Sequence, residues 1–177
     1  MKTKSIFITA LFACITLLVP HALKAQQEKV FADSKEAQAA FINTDPSMKD
    51  LFTDSYGYVI FPKIGKGAFL VGGATGNGAV YEKGEEIGTA KLIQVSVGLQ
   101  LGGQTYREVI FFENEDAMDR FKENKIEFSG QVSAVAAKSN ASANAKYTDG
   151  VQVYTQAKNG LMAEASVGGQ KFTFKPL

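Results

Sequence analysis

The sequence predicts a β-rich α+β fold, in which an antiparallel barrel-like or sandwich sheet carries a few short helices. Apolar β-formers alternate with glycines in YGYVIFPKIGKGAFLVGGATGNGAVY, residues 56–81. Two shorter segments of the same character follow at 96–104 and 166–172. Helical patterns are confined to the residues before Asp54 and to a stretch after Asn114. Glycine in strands costs conformational entropy unless the backbone requires it, so this density indicates a tightly curved sheet.

The first 25 residues have the pattern of a secretory signal peptide. Lys2 and Lys4 precede an apolar run, Ile6 to Val19, and a small residue, Ala25, ends the segment. The run is shorter than the roughly 20 residues of a membrane-spanning helix. We expect cleavage after Ala25 and export of the protein, which would make it periplasmic or secreted.

A lipid-anchored alternative rests on Cys14, because Leu11–Cys14 resembles the segment before the lipidated cysteine of bacterial lipoproteins. The residues after it, Ile15 to Val19, are strongly apolar, whereas a lipoprotein tether is normally polar. Anchoring at Cys14 is therefore the less favoured reading.

Removal of residues 1–25 takes away the only cysteine, the only histidine (His21) and three of the 19 basic residues. The 16 that remain against 18 acidic residues give a net charge of −2, which offers no electrostatic reason to expect nucleic-acid binding. We expect residues 26–177 to form one domain, with a helical part at 26–54 and a β-rich core at 56–177 that includes a helix near 115–123.

The helical part contains two predicted starts. Asp33 followed by Glu36 has capping-box spacing and predicts a helix from Asp33. Pro46 predicts the first position of a second, short helix.

From Tyr56 the apolar period is two. Residues 56–61 predict a strand that ends at Pro62 or lies at a sheet edge there, because proline cannot donate to a sheet ladder.

Asn114 predicts the cap of a helix at 115–123 with an acidic first turn. The alternation in 92–101 predicts a strand buried on one face. The remaining predictions are strands at 67–73 and 78–82 joined through 74–77, a turn at 83–86, strands at 104–112 and 131–137, a polar loop at 138–146, and strands at 150–157, 161–168 and 171–175.

Few catalytic chemistries survive in a mature chain without histidine or cysteine. Serine–histidine triads, cysteine–histidine pairs and the usual zinc sites are excluded. Glu113 and Asp116 could be read as a glycosidase pair, but a dipole-matched helix start explains them better. The glycine segment 73–78 is followed by a strand and not by the helix that a dinucleotide loop needs. We expect no enzyme activity, no cofactor and no metal.

Lysines accompany apolar residues around the helical part and suggest contact with lipid headgroups. The alternative is that the apolar side chains cap the core and the lysines are solvated. The candidate lipid contacts are Lys35, Phe41, Lys49, Phe52, Lys63 and Lys66.

The chain resembles the SYLF domain family, also called the Ysc84 type. The matching segments are GYVIFP (57–62), KGAFLVGG (66–73), GNG (76–78), SVGLQLG (96–102) and NGLMAEAS (159–166), so the resemblance spans about residues 45–177. It implies a phospholipid-binding domain without established enzyme activity in its exported bacterial members. In eukaryotic members, the N-terminal part of the domain is associated with phosphoinositide binding, and some relatives engage actin. We expect no SH3 or FYVE-type module beside the domain.

The lead hypothesis is an exported, non-enzymatic, membrane-associating domain whose partner is a phospholipid surface. The alternatives are a carrier that holds a small apolar ligand inside the barrel, lined by the inward face of residues 92–101, and a structural envelope protein. The sequence does not identify the lipid or a protein partner.

Overall fold

The computed structural model describes residues 3–67, 72–96, 104–126, 134–138, 142, 145–158 and 169–177. Three helices and seven strands lie in these ranges. Their bounds are α1 Thr3–Thr44, α2 Met48–Asp54, β1 Gly57–Gly67, β2 Gly72–Glu82, β3 Glu85–Ser96, β4 Gln104–Phe112, α3 Glu115–Lys122, β5 Val135–Ala136, β6 Val151–Ala157 and β7 Gln170–Pro176.

The described strands form one open, mixed sheet with the order β5-β6-β4-β1-β2-β3-β7. All neighbours pair antiparallel except β5 and β6, which are parallel. A tight turn at Lys83 and Gly84, both with positive φ (51° and 84°), joins β2 to β3. Two-residue turns of this hand match the twist of the strands that they join. The β-rich α+β prediction is confirmed.

Apolar side chains are buried on both faces of the sheet, since successive residues of a strand point in opposite directions. On the face beneath α1 and α2, here called the helix face, Tyr58 and Ile60 of β1 are buried. On the opposite face, the inner face, Val59 and Phe61 of β1 pack with side chains of α3, including Phe121. The sheet is thus the middle layer between two apolar clusters.

The sheet curls strongly around its inner face. Strands β4 and β7 are four positions apart in the sheet order, which in a flat sheet would separate them by about 19 Å. Gln170 Nε2 of β7 nevertheless donates to Glu108 Oε2 of β4 over 2.9 Å. The rings of Phe61 in β1 and Phe172 in β7 also lie 6.0 Å apart. This curvature agrees with the barrel-like form that the glycine content predicts.

The helical part differs from its prediction at the first start. Helix α1 runs without interruption from Thr3 to Thr44, so Asp33 does not cap a helix. Asp33 instead accepts from Lys29 Nζ at 3.0 Å as an i,i+4 ion pair. The helical tendency of the preceding residues outweighs the local cap signal, because a cap forms only where the helix actually begins. Helix α2 begins after Pro46, at Met48, with Ser47 as its N-cap. No helix in the described part of the chain is long and apolar enough to cross a membrane.

Two strand predictions are wrong in a common way, since real strands are longer than the predicted ones. Strand β1 continues past Pro62, which lies where the register of β1 shifts, between Ile60 and Ile64 against β2 and between Phe61 and Ile64 against β4. A bulge tolerates proline because the ladder is already interrupted there. Residues 74–77, the predicted joint, lie inside β2 and pair with β3 from Gln94 to Lys91.

The alternation in β3 is confirmed. The buried face is the one that carries both apolar and polar side chains. Leu92 and Gln94 are buried on the inner face, whereas Ile93 is 45% exposed. Residues 97–101 of that predicted strand lie outside the described residues, as do the predicted strand at 161–168 and residues 68–71.

The segment from 104 to 122 follows its prediction closely. Strand β4 has the predicted bounds. The Asn114 side chain accepts from the backbone N–H of Ala117 at 3.0 Å, so Asn114 caps α3 as predicted. Strands β6 and β7 also lie where predicted, within one residue at each end.

Candidate functional site

An aromatic row holds the helices on the sheet. The ring of Tyr58 stacks on that of Tyr81 at a centroid distance of 4.8 Å. Phe52 of α2 contacts Tyr58 and Phe111 edge-on at 5.1 and 4.8 Å, and Phe31 of α1 reaches Tyr81 at 6.2 Å. Such pairs add to the free energy of area burial. The row fixes α1 and α2 against the sheet and thereby fixes which of their side chains face solvent.

The two aromatic candidates for lipid contact belong to this packing. Phe41 is fully buried and Phe52 is 8% exposed, and both lie in the cluster of the helix face. In this conformation neither ring is available to a membrane. Both rings pack at the end of the core, as expected if the apolar side chains of the helical part cap the core.

The candidate lysines lie at the surface and are not alike. Lys35 Nζ makes an ion pair with Glu86 Oε1 at 2.9 Å, which ties α1 to β3. Lys49 and Lys63 are exposed, and neither makes an ion pair within the described residues. Lys66 lies in β1, and its side chain is outside the described part. Lys49 and Lys63 are therefore the described candidates whose charge remains open to an outside partner.

A buried carboxylate joins the helical part to a later segment. Asp45 is fully buried between α1 and α2 and accepts from the backbone N–H of Ser142 at 2.8 Å. It also accepts from the backbone N–H of Ser47 at 3.2 Å and from Ser47 Oγ at 2.5 Å. Burial alone would raise the pKa of Asp45, but the hydrogen bonds from Ser47 and Ser142 outweigh burial and hold that pKa below its usual value.

The inner face contains a polar layer within its apolar cluster. Glu108, Gln170 and Gln94 are buried there with the Tyr106 side chain. Burial and the nearby Glu108 carboxylate raise the pKa of the Tyr106 hydroxyl, and a hydrogen bond with Gln170 opposes this. Large, fully buried side chains, including Phe61, belong to the same inner-face cluster.

A groove opens on the outer surface between the first turns of α1 that follow Ala25 and the strands β3 and β7. Its volume is about 470 Å³. We call it the α1–β3–β7 groove. It is lined mainly by Gln26, Val30, Lys91, Ile93, Thr173 and Lys175.

A smaller hollow of about 380 Å³ lies beside α2. The carboxylates of Asp50, Asp54 and Glu113 line it together with Tyr147. Burial and the charges of Glu113 and Asp54 raise the pKa of Tyr147 to about 12.

The sequence reasoning missed the groove and its two lysines. Lys91 and Lys175 stand on the same face of neighbouring strands as Ile93. The signal was present in the alternation of β3 and β7, where cations and one large apolar residue share a face. Their neighbourhood depends on the β3–β7 pairing, which the local pattern does not reveal.

Two comparisons relate the sequence of the chain to known proteins. Residues 93–176 match the profile of the Ysc84 family, described as Las17-binding protein actin regulator. Over 156 residues, 88% of the chain, the sequence is 28% identical to beta cell expansion factor A of Aeromonas veronii. Residues 93–176 of the chain are therefore similar to the SYLF domain, the Ysc84 type. The profile match begins within β3 and extends through β7, so it includes β4, α3 and the strands that close the curled sheet.

The chain spans about 60% of the length of the Aeromonas relative that it matches. The alignment extends well beyond the profile match and takes in most of the chain. The predicted resemblance to the SYLF family is confirmed, and the profile match contains its two later segments, residues 96–102 and 159–166.

Proposed function

We propose that this protein is exported and associates with phospholipid membranes without catalysing a reaction. The lipid role is what the resemblance to the SYLF family implies, and the signal-like residues 1–25 support export. The proposed mode of binding rests on a difference in exposure among the candidate lipid contacts. Lys49 and Lys63 are exposed and make no ion pair in the described part of the chain, whereas Phe41 and Phe52 are buried.

This contrast favours attachment through charge over insertion of aromatic rings. A lysine near an anionic membrane surface contributes about 1 kcal/mol, and the attraction decays within a Debye length. Two lysines, of which Lys49 shares α2 with the carboxylates of Asp50 and Asp54, give a weak and salt-sensitive association. We therefore expect a preference for anionic over zwitterionic vesicles.

The proposed absence of catalysis is supported by the residues first considered for hydrolysis. Asp116 lies in the first turn of α3, where a negative charge favours the helix dipole. Its Oδ2 lies 3.3 Å from Arg120 Nε in an i,i+4 ion pair. Both contacts give Asp116 a structural role.

Flotation of the protein with vesicles tests the proposal. We expect vesicles that contain phosphatidylglycerol to carry the protein upward at low salt, and pure phosphatidylcholine vesicles to carry less of it. The double variant K49Q/K63Q should float several-fold less, because each lysine contributes about 1 kcal/mol. The matched control K146Q/K158Q removes the same charge from two exposed lysines after α3.

If neither vesicle type carries the protein, the membrane proposal fails. If the control double variant loses as much flotation as K49Q/K63Q, net charge is responsible and the assignment to these lysines is wrong.

A further inference from the structure

The α1–β3–β7 groove has a defined shape. Its floor is the outward face of two paired strands, with Lys91 opposite Thr173 and Thr89 opposite Lys175. Its wall is α1 at Gln26, Gln27 and Val30. The floor from residue 89 to residue 93 is about 13 Å long. The described lining residues all follow Ala25, so the predicted cleavage removes none of them.

The charge of the groove is one-sided. Among the described residues, its lining includes Lys91 and Lys175 and no carboxylate. Both lysines are exposed, and neither makes an ion pair within the described ranges of the chain. They are diagonal neighbours on one face, a relation that places Cβ atoms about 7 Å apart. Two cations at this spacing repel each other, and a single anion between them would remove that repulsion.

The groove also holds apolar surface that the fold does not cover. Ile93 is 45% exposed, and among the described residues only Leu177 is another large hydrophobic side chain with comparable exposure. Val30 faces the groove from α1 and is half-buried. A volume of about 470 Å³ is within the range of sites for small organic ligands.

We infer that the α1–β3–β7 groove binds one free, single-chain anionic amphiphile, such as a fatty acid. The carboxylate lies between the ammonium groups of Lys91 and Lys175, and the apolar chain covers Ile93 and Val30. A carboxylate satisfies both cations at once, and the chain removes apolar surface from water. This inference does not rest on membrane association, which is proposed for Lys49 and Lys63.

Titration calorimetry on the full-length chain with dodecanoate tests the inference. Two comparison ligands separate the contributions: acetate has the carboxylate without the long alkyl chain, and dodecanol has the alkyl chain without the carboxylate. We expect dodecanoate to bind about tenfold or more tightly than either. The double variant K91Q/K175Q should weaken dodecanoate binding about tenfold or more, since a hydrogen bond to a charged group is among the strong ones. Ile93→Ser should weaken dodecanoate binding with little effect on acetate.

The control variant K146Q/K158Q should bind dodecanoate within about twofold of the unaltered chain, since exposed charges beyond a Debye length are screened. The inference is overturned if dodecanoate does not bind, if K91Q/K175Q binds it unchanged, or if the control loses as much.

Vesicle flotation of K91Q/K175Q separates a free amphiphile from a membrane lipid. We expect this variant to float as well as the unaltered chain. Joint loss of flotation and dodecanoate binding would make the groove a contact for membrane lipid and would overturn the assignment to a free molecule. The separate loss of flotation in K49Q/K63Q bears only on the membrane proposal.

Discussion

Single buried polar groups do much of the positioning in this fold. Asp45 is the clearest case, because its carboxylate lies in the interior and still accepts three hydrogen bonds from Ser47 and Ser142. These hydrogen bonds stabilise the ionised carboxylate, and they lower the pKa of Asp45 by more than burial raises it. The carboxylate thereby holds a residue nearly 100 positions later, Ser142, against the junction of α1 and α2.

Asp45→Asn should destabilise the protein by about 1–3 kcal/mol at pH 7, because an amide N–H₂ would face the N–H of Ser142. A lowered pKa in the folded state gives stability that is present above the unfolded value, 3.8, and is lost as the pH falls through the folded value. The difference between the two proteins should therefore narrow below about pH 3.8. Urea unfolding at pH 7 and at successively lower pH measures this.

The control is Asp54→Asn, which changes an exposed carboxylate at the end of α2. It should alter the free energy of unfolding by no more than about 0.5 kcal/mol. An equal loss in both variants would show that the effect is one of net charge.

At the scale of the elements, the glycines of β1 and β2 differ in what they do. A Cβ on Gly78 would lie 2.7 Å from the carbonyl oxygen of Ile60 and 2.7 Å from the ring of Phe61. One of these neighbours is backbone and cannot move alone. A Cβ on Gly65 would meet nothing within 4 Å. Only the first glycine is required by the close approach of two strands.

Gly78→Ala should therefore cost about 1–3 kcal/mol through overpacking, whereas Gly65→Ala should be neutral within about 0.5 kcal/mol. Both variants add one methyl group to a strand, so the pair separates the clash from any general effect of alanine. Thermal unfolding followed by circular dichroism measures the difference. Equal effects at the two positions would contradict the distinction.

The elements also show what a local pattern can predict. Asn114 and the acidic turn after it identify α3, because the cap and the dipole are local interactions. The prediction that a strand ends at Pro62 was wrong, because the effect of this proline depends on an irregularity in the pairing with two neighbouring strands. Lys91 and Lys175 could not be joined from sequence, because the β3–β7 pairing brings together residues more than 80 positions apart. Interactions within a turn were thus predictable, and those set by pairing were not.

At the scale of the whole molecule, the hydrogen bond between Gln170 and Glu108 spans the interior of the curled sheet. Both side chains are fully buried, and the Gln170 amide donates to the Glu108 carboxylate at 2.9 Å. A buried carboxylate that loses a donor bears a desolvation cost. The contact therefore holds β7 over the interior.

Gln170→Ala should lower the free energy of unfolding by about 2–3 kcal/mol, because it removes this donor and leaves a cavity. Amide hydrogen exchange in β7 should accelerate more than in β1. Thr173→Ala, on the exposed face of the same strand, is the control and should change stability by no more than about 0.5 kcal/mol. Exchange that accelerates equally in all strands would show that β7 has no special part in closing the sheet.

The curl has a consequence for the speed of folding. Glu108 and Gln170 are 62 residues apart, and the strands β1 to β3 are complete in sequence well before β7. The hairpins of β1, β2 and β3 need only short loop closures, whereas closure of the interior must wait for a distant strand and bear the entropy of a long loop. During that interval the edge of β3 and the apolar side chains around Leu92 are open. Until β7 docks, a folding intermediate would present an unpaired strand edge to other chains, so this protein should be most prone to aggregate late in folding and not at its start.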